Sequence, residues 1–311
     1  MRILVTGASG LLGLNLALEA SQEHEVFGSV NEHVIQTTKF TVFQSDLTRP
    51  GAFKELMVRC RPEWVINCAA LANLDACEAN PALARKLNSE LPEKMAKVVA
   101  KGGARLVHIS TDAVFDGKRG DYTEKDPPNP QSVYAETKLI GEQAVLSSDP
   151  QAIVARVNLF GWSLSGKRSL AEWFLNNLSS GKTMMGFTDV FFCPLLATDL
   201  ARVLLEMLAV EARGLFHVVS SECTSKYDFG TRLAKLFNYD QTLIEPTLVS
   251  NAGLSAVRST NLTLNSEKLT STISRVIPDI SDGLEQFYAQ YQRGYPHYIR
   301  QMKTSYLGSG E

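Results

Sequence analysis

The chain has 311 residues, 44% of them hydrophobic, which is enough apolar material for one large globular domain or two joined ones. Its net charge of −2 supplies no basic field to recruit nucleic acid or an anionic membrane, so small, locally bound anions are the partners left open. Five cysteines, Cys60, Cys68, Cys77, Cys193 and Cys223, are odd in number and lack C-x-x-C spacing, which speaks against a zinc or redox site and for a reducing compartment. With no leader pattern at residues 1–7 and no charge-poor run of about 18 apolar residues, a cytoplasmic protein is expected.

Residues 3–6 form a short apolar run, followed by Gly7-Ala8-Ser9-Gly10-Leu11-Leu12-Gly13 and a helical stretch. Strand, glycine turn and helix in that order let backbone N–H groups approach a pyrophosphate where Cβ atoms would block contact, and the helix dipole favours the anion. Gly7, Ser9, Gly10, Leu11, Leu12 and Gly13 are therefore candidate cofactor-binding residues. Residues 25–30 read as a second strand that ends in Asn31-Glu32-His33 beside the expected adenosine ribose. Asn31 can hydrogen-bond a hydroxyl without repelling a phosphate, so NAD and NADP both stay open. Residues 40–44 read as a third strand, and Asp46-Leu47 follow it; from the residues alone Asp46 reads as an N-cap ahead of a helix at 52–60. A fourth strand at 63–67 ends in Asn67-Cys68-Ala69-Ala70, small residues against which a cofactor can lie. A long helix at 81–101 carries Asn88.

Residues 105–110 make a fifth strand delivering Ser110-Thr111-Asp112 at its carboxyl end, the edge where parallel sheets bind ligands. A loop at 115–131 leads to a helix at 132–142 with Tyr134 and Lys138 on one face, one turn apart. A cation beside a phenol favours phenolate, which lowers a pKa starting near ~10 and lets Tyr134 trade a proton near neutral pH. A sixth strand at 152–157 ends at Asn158. Beyond 161 the alternation loosens into helices at 170–177, 198–210, 226–237 and 282–292, with an extended run at 214–219. The pattern predicts a doubly wound parallel α/β sheet with a smaller mixed α/β lobe. The expected division is 1–160 for the dinucleotide-binding domain, rejoined by about 188–222, and 161–187 with 223–311 for the substrate lobe.

The motifs TGASGLLG at Thr6 to Gly13, DL at Asp46, NCAA at Asn67, STDAVFDG at Ser110 to Gly117 and YAETKLIGE at Tyr134 to Glu142 resemble the extended short-chain dehydrogenase/reductase family. Within it the resemblance is to the dTDP-4-dehydrorhamnose reductases, strong over the first half and thin over the second. It implies Tyr134 as the acid that protonates the reduced oxygen, and Lys138 as the residue that lowers its pKa and holds the nicotinamide ribose. Thr111 would hydrogen-bond the substrate carbonyl and Asn88 would hold a proton-relay water. Asp46 and Leu47 would bracket the adenine, Cys68, Ala69 and Ala70 would lie along the cofactor, and Asp112 and Asn158 would face the substrate. The implied reaction is NAD(P)H-dependent reduction of the 4-keto group of a nucleotide-bound deoxysugar; Asn31 and His33, which offer hydrogen bonds with neither a carboxylate directly at the strand end nor an Arg clamp, lead to an expectation of dual cofactor use with a modest preference for NADPH. No metal is implied; neither nucleic acid nor membrane is a partner, and a homodimer stays open.

Departures from the resembling family fall mostly in the lobe: Ala135 after the tyrosine, Leu159 in the strand-six turn, Asp189 to Leu195 for D-x-x-G-x-P-T, and Ala256 to Ser259 for A-R-R-P. Thr111-Asp112-Ala113 lacks the glutamate of the 4,6-dehydratases, which need a base for the C5 proton. An epimerase keeps the same Tyr and Lys. A non-catalytic subunit like methionine adenosyltransferase β is the alternative from another class.

Overall fold

The computed structural model describes residues 1–252 and 259–303. The counterpart of the A-R-R-P segment at Ala256, Val257 and Arg258 lies outside the described residues, as does the polar tail from 307.

Seven parallel strands form one sheet: β1 (Arg2–Thr6), β2 (Glu25–Val30), β3 (Thr41–Gln44), β4 (Trp64–Asn67), β5 (Arg105–Thr111), β6 (Ile153–Val157) and Gly214–Val218 as the seventh. Their spatial order is 7-6-5-4-1-2-3, and the chain reverses direction across the sheet between β1 and β4. Side chains alternate between the two faces. Ile3 and Val5 enter one apolar core, while Leu4, with Val65 and Leu106, enters the other. Both faces are covered by helices, which is why these strands read as near-continuous apolar runs. The architecture is a Rossmann-type α/β fold.

The first helix, α1 (Leu11–Ala20), follows β1, and α2 (Ala52–Cys60) lies between β3 and β4. The N-cap of α2 is Gly51 at φ 83°, so Asp46 is not the cap its position suggested. It accepts from the Thr48 N–H at 2.8 Å and the Thr48 hydroxyl at 2.7 Å, a local turn that ends before the helix starts.

The long helix expected at 81–101 is broken. A short α3 (Leu74–Ala79), not evident in the sequence, precedes α4 (Pro81–Arg85), a single wide π turn (Lys86–Glu90) and α5 (Leu91–Gly102). The cause is Pro92, which has no N–H to offer the carbonyl four residues back, that of Asn88. The following helix, α6 (Val133–Ser148), packs closely here. A Cβ on Gly141 would lie 2.1 Å from the freed Asn88 oxygen, so the approach requires glycine.

The second half adds α7 (Leu170–Leu178), α8 (Ala197–Ala209), α9 (Lys226–Leu236), α10 (Glu267–Ile273), α11 (Ile280–Gln292) and α12 (Tyr295–Gln301). The chain returns to the sheet through α8, against α1, and the seventh strand beside β6. Three two-stranded pieces complete the strands among the described residues: 159–160 with 195–196, 184–187 with 244–247, and 191–192 with 224–225. The last pair is antiparallel and aligns Phe192 with Thr224, so the next residues in register are Cys193 and Cys223. Their Cα atoms are 4.1 Å apart and their sulfurs form a disulfide. This corrects the reading of the cysteines from spacing: the two lie 30 residues apart, and only the strand pairing joins them. Cys60, Cys68 and Cys77 are free. No helix among the described residues is long and apolar enough to cross a membrane, and no cluster of metal-ligating side chains occurs among them.

Candidate active site

The carboxyl edge of the sheet collects the ends of β1, β4, β5 and β6. After β1 the chain turns at Gly7, φ +67°, a conformation that favours glycine. A Cβ there would meet the Cys68 and Ala69 backbone at 2.8 Å, and one on Gly13 would meet the Gly7 oxygen at 2.2 Å. The two outer glycines thus serve close packing within the turn. Gly10 differs: a Cβ would touch only the Gly7 oxygen, at 3.1 Å, and as N-cap of α1 it offers no side-chain acceptor. The first N–H groups of α1 are left for a ligand, and no acidic residue stands in the first turn to repel an anion. With half-buried Ser9 and Leu11 beside it, this cradle fits a pyrophosphate.

The end of β2 is arranged differently from the sequence reading. Asn31 is exposed, and its carbonyl accepts from Gln44. Next to it, Glu32, His33 and Val34 line a recess of about 120 Å³ with Ser9, Leu164, Ser165, Arg168 and Lys303. The segment after β2 is fastened to the chain end, since Gln36 N–H donates to the Met302 carbonyl at 2.8 Å and Ile35 bridges to Lys303. Two cations from distant sequence therefore stand where the sequence alone offered none. Nothing local signals them.

Beside β4, Cys68 and Ala69 are half-buried and Ala70 is exposed, while Leu47 packs at the margin of the core. Burial pushes the Cys68 thiol up to about 12, so it is not a nucleophile. Asn88 is fully buried with its carboxamide occupied. Its oxygen accepts from Leu71 N–H at 2.9 Å, and its nitrogen donates to the Leu71 carbonyl at 3.0 Å and to Thr137 at 3.2 Å. The side chain clamps the post-β4 loop onto α6, and it is the main-chain carbonyl, freed by Pro92, that faces α6.

Thr111 ends β5 as the N-cap of one 3₁₀ turn, accepting from Ala113 N–H at 3.2 Å and donating to Asp112 at 3.1 Å. Asp112 is buried and also accepts from the Asn158 amide at the end of β6. Burial raises its carboxyl pKa, against the hydrogen bonds from Asn158 and Thr111. Ser132 caps α6, accepting from Ala135 N–H at 3.2 Å, and so fixes the turn that presents Tyr134.

Tyr134 keeps partial exposure, yet protein surrounds its ring. Burial pushes the phenol up to about 12, the Asp112 charge adds to this, and a hydrogen bond with Thr111 opposes it. Lys138 is 2% exposed, and its Nζ donates to the Ile109 carbonyl at 2.5 Å and lies 3.3 Å from His108 Nε2. Burial brings the ammonium down to about 8, against the charge of Glu142. In this structure the Lys138 side chain is drawn onto β5, and burial is the largest influence on the Tyr134 phenol. A phenol that holds its proton to about 12 remains a donor throughout the neutral range.

A glycine cradle at the first βα turn and a Thr, Tyr and Lys set on β5 and the following helix define a dinucleotide-dependent oxidoreductase of the short-chain type. Residues 1–293 match the family described as RmlD substrate binding domain. The chain belongs to that family, a branch of the extended short-chain dehydrogenases/reductases, which are NAD(P)-dependent oxidoreductases. Among its relatives is a "Probable low-salt glycan biosynthesis reductase Agl14" of Haloferax volcanii, 32% identical over 94% of this chain and 98% of that one. The dTDP-4-dehydrorhamnose reductase of Mycobacterium tuberculosis is 32% identical over 86% of both chains. Methionine adenosyltransferase 2 subunit beta of Rattus norvegicus is 31% identical over 86% of this chain and 81% of its own. The crystal structure of dTDP-4-dehydrorhamnose reductase from Bacillus anthracis in complex with NADP superposes with a TM-score of 0.82, covering 93% and 99% of the two chains at 24% identity, and shows the shared fold.

Proposed function

We propose that the protein reduces the 4-keto group of a nucleotide-bound deoxysugar, with Tyr134 as the proton donor. The observation that carries this is the placement of Thr111 at the carboxyl end of β5 and of Tyr134 in the first turn of α6, on the same edge as the glycine cradle. NAD(P)H supplies the hydride when bound; the Gly7 to Gly13 turn holds its pyrophosphate. Thr111 and Tyr134 hold the sugar carbonyl, and Tyr134 gives its proton to the oxygen as negative charge grows there. Asp112, held by Asn158, and the substrate lobe of the second half orient the sugar.

NADPH is the preferred cofactor in this reading, because Arg168 and Lys303 line the recess with Ser9 and neither has an ion-pair partner among the described residues. Glu32 in the same recess is the residue that keeps NADH usable, through the ribose hydroxyls. The test is a panel of nucleotide-bound 4-keto sugars with NADPH and NADH, followed at the nicotinamide absorbance. Oxidation with one or more sugars is expected, and its absence across the panel would remove the reductase reading.

A second reading, a regulatory subunit, is favoured by the relative named methionine adenosyltransferase 2 subunit beta. Intact Thr111, Tyr134 and Lys138 support the enzyme. A stoichiometric enzyme partner recovered on pull-down, together with a silent sugar panel, would reverse the order.

A further inference from the structure

Three neighbouring strands place polar side chains in one row across the sheet. Thr6 on β1 pairs with Asn67 on β4, and Asn67 pairs with His108 on β5. The residues two places earlier on the same face, Leu4, Val65 and Leu106, belong to an apolar core. Thr6, Asn67 and His108 are each 1% exposed or less, so the row is buried, and a buried polar row calls for a reason. It ends at the active site: Thr6 Oγ1 donates to Asn67 Oδ1 at 2.7 Å, Asn67 Nδ2 lies 3.1 Å from His108 Nδ1, and His108 Nε2 lies 3.3 Å from Lys138 Nζ.

Counting hydrogens fixes the states. The Ala69 N–H, which can only donate, points at Asn67 Oδ1 at 3.2 Å, so the carboxamide cannot be turned over without facing N–H to N–H. Asn67 Nδ2 must then donate to His108 Nδ1, which leaves the hydrogen of the neutral imidazole on Nε2, aimed at Lys138. An ammonium would present a hydrogen to a hydrogen there, whereas a neutral amine has a lone pair to accept it, and a second N–H still reaches the Ile109 carbonyl at 2.5 Å.

We propose that His108 is a positioning residue for Lys138: in a tautomer dictated by Asn67, it holds Nζ against β5 and lets the lysine pass between ammonium and amine without moving. When the ammonium gives one proton to an acceptor in the site, the amine lone pair takes the Nε2 hydrogen bond. When a proton returns from solvent, that bond is released and nothing else changes. The groups facing Nζ are His108 and the Ile109 carbonyl from β5, Glu142 from α6 and the Cys68 thiol from the post-β4 loop, and the charge of Glu142 favours the ammonium. Burial holds Lys138 near 8, within reach of this exchange, and burial with the Lys138 charge keeps His108 neutral.

The kinetic arm of the test rests on the reductase reading; the spectroscopic arms do not. With ¹⁵N-labelled histidine, long-range proton–nitrogen correlations of the five histidines report each tautomer directly, and His108→Gln assigns the signal. A hydrogen on Nε2 of His108 is expected in the unaltered protein, and a hydrogen on Nδ1 would overturn the proposal. In Asn67→Asp the carboxylate still accepts from Thr6 and Ala69 and also from an Nδ1 hydrogen, so the tautomer should swap and Nε2 should accept from the ammonium. The Lys138 titration, read from its ¹³Cε shift, and the alkaline limb of kcat/KM should then both move up by about one pH unit. His108→Gln, whose carbonyl can also accept from the ammonium, should move the titration the same way. If both variants fold and leave the Lys138 titration in place, His108 only fills the sheet. A silent kinetic arm with a shifted titration would instead count against the reductase reading alone.

Discussion

β1, β4, β5 and β6 bring Gly7, Cys68, Thr111 and Asn158 to one edge because a parallel sheet covered on both faces has only its two ends free for a ligand. Among its described residues the lobe has no such sheet. It is held by two short strand pairs, 184–187 with 244–247 and 191–192 with 224–225, one disulfide and aromatic packing such as Trp162 on Phe287, whose centroids are 3.9 Å apart. In the first half, sequence neighbours make the site and the fold aims them; in the second, partners 30 or more residues apart make both. In the proposed reading, chemistry is anchored in the regular half and selectivity comes from the half assembled by long-range contacts.

The sharpest break of this comparison is Tyr134→Phe. Removing the proton donor and little surface should lower kcat about 10²–10⁴-fold while dinucleotide binding, measured by calorimetry, stays within a factor of about two. Near-normal turnover would take the chemistry away from the regular half.

The lobe is tested through its cross-link. Cys193→Ser with Cys223→Ser should destabilise the protein by about 2–4 kcal/mol, read as a lowered melting temperature that reducing agent reproduces in the parent. Dinucleotide binding should be untouched, because the bridge joins 191–193 to 223–225 and no cradle residue.

Arg168→Ala probes where the halves meet. Losing one charged donor to a 2′-phosphate should weaken NADPH by about 1.5–3 kcal/mol and leave NADH nearly unchanged, read as Kd for each cofactor. The recess holds Glu32 and not Asn31, so Glu32→Gln should favour NADPH further, and Asn31→Asp should change the ratio less than the strand-end position alone suggests. Equal effects on both cofactors would place Arg168 away from the phosphate.

The smallest effect concerns pH. His217, on the seventh strand, is fully buried between Arg156 and the Asn265 carbonyl, and burial brings it down to about 3. Below its unfolded value of about 6.5 the unfolded chain binds a proton that the folded one refuses, so stability falls as pH drops from about 6.5 towards 3. At pH 5 this group removes at most about 2 kcal/mol, and His217→Gln should flatten that part of the urea-midpoint profile.

Much of the regular half was legible. Each of the first six strands is an apolar run with a turn signal after it, and the seventh was visible as an extended run whose place beside β6 was not. The break at 86–90 was not read, although Pro92 carried the signal: a proline four residues after Asn88 removes that carbonyl's partner. Cys193 and Cys223 carried no local signal, since pairing across antiparallel strands has no spacing rule. His108 looked like one polar letter in an apolar strand, and its meaning depends on a register that joins three strands.

Local order determined the class of this protein by itself: glycine turn after the first strand, Ser110-Thr111-Asp112 after the fifth, Tyr134 and Lys138 one helical turn apart. Such features are set by backbone geometry within a few residues, so composition and spacing carry them. Tertiary structure alone decided the environment of those groups. It put Lys138 against Ile109 and His108, raised Tyr134 by burial, turned the carboxamide of Asn88 to Leu71 and brought Arg168 and Lys303 to the end of β2. The physical reason is that charge states and ligand contacts depend on what is excluded from and packed around a group, and those neighbours come from every part of the chain.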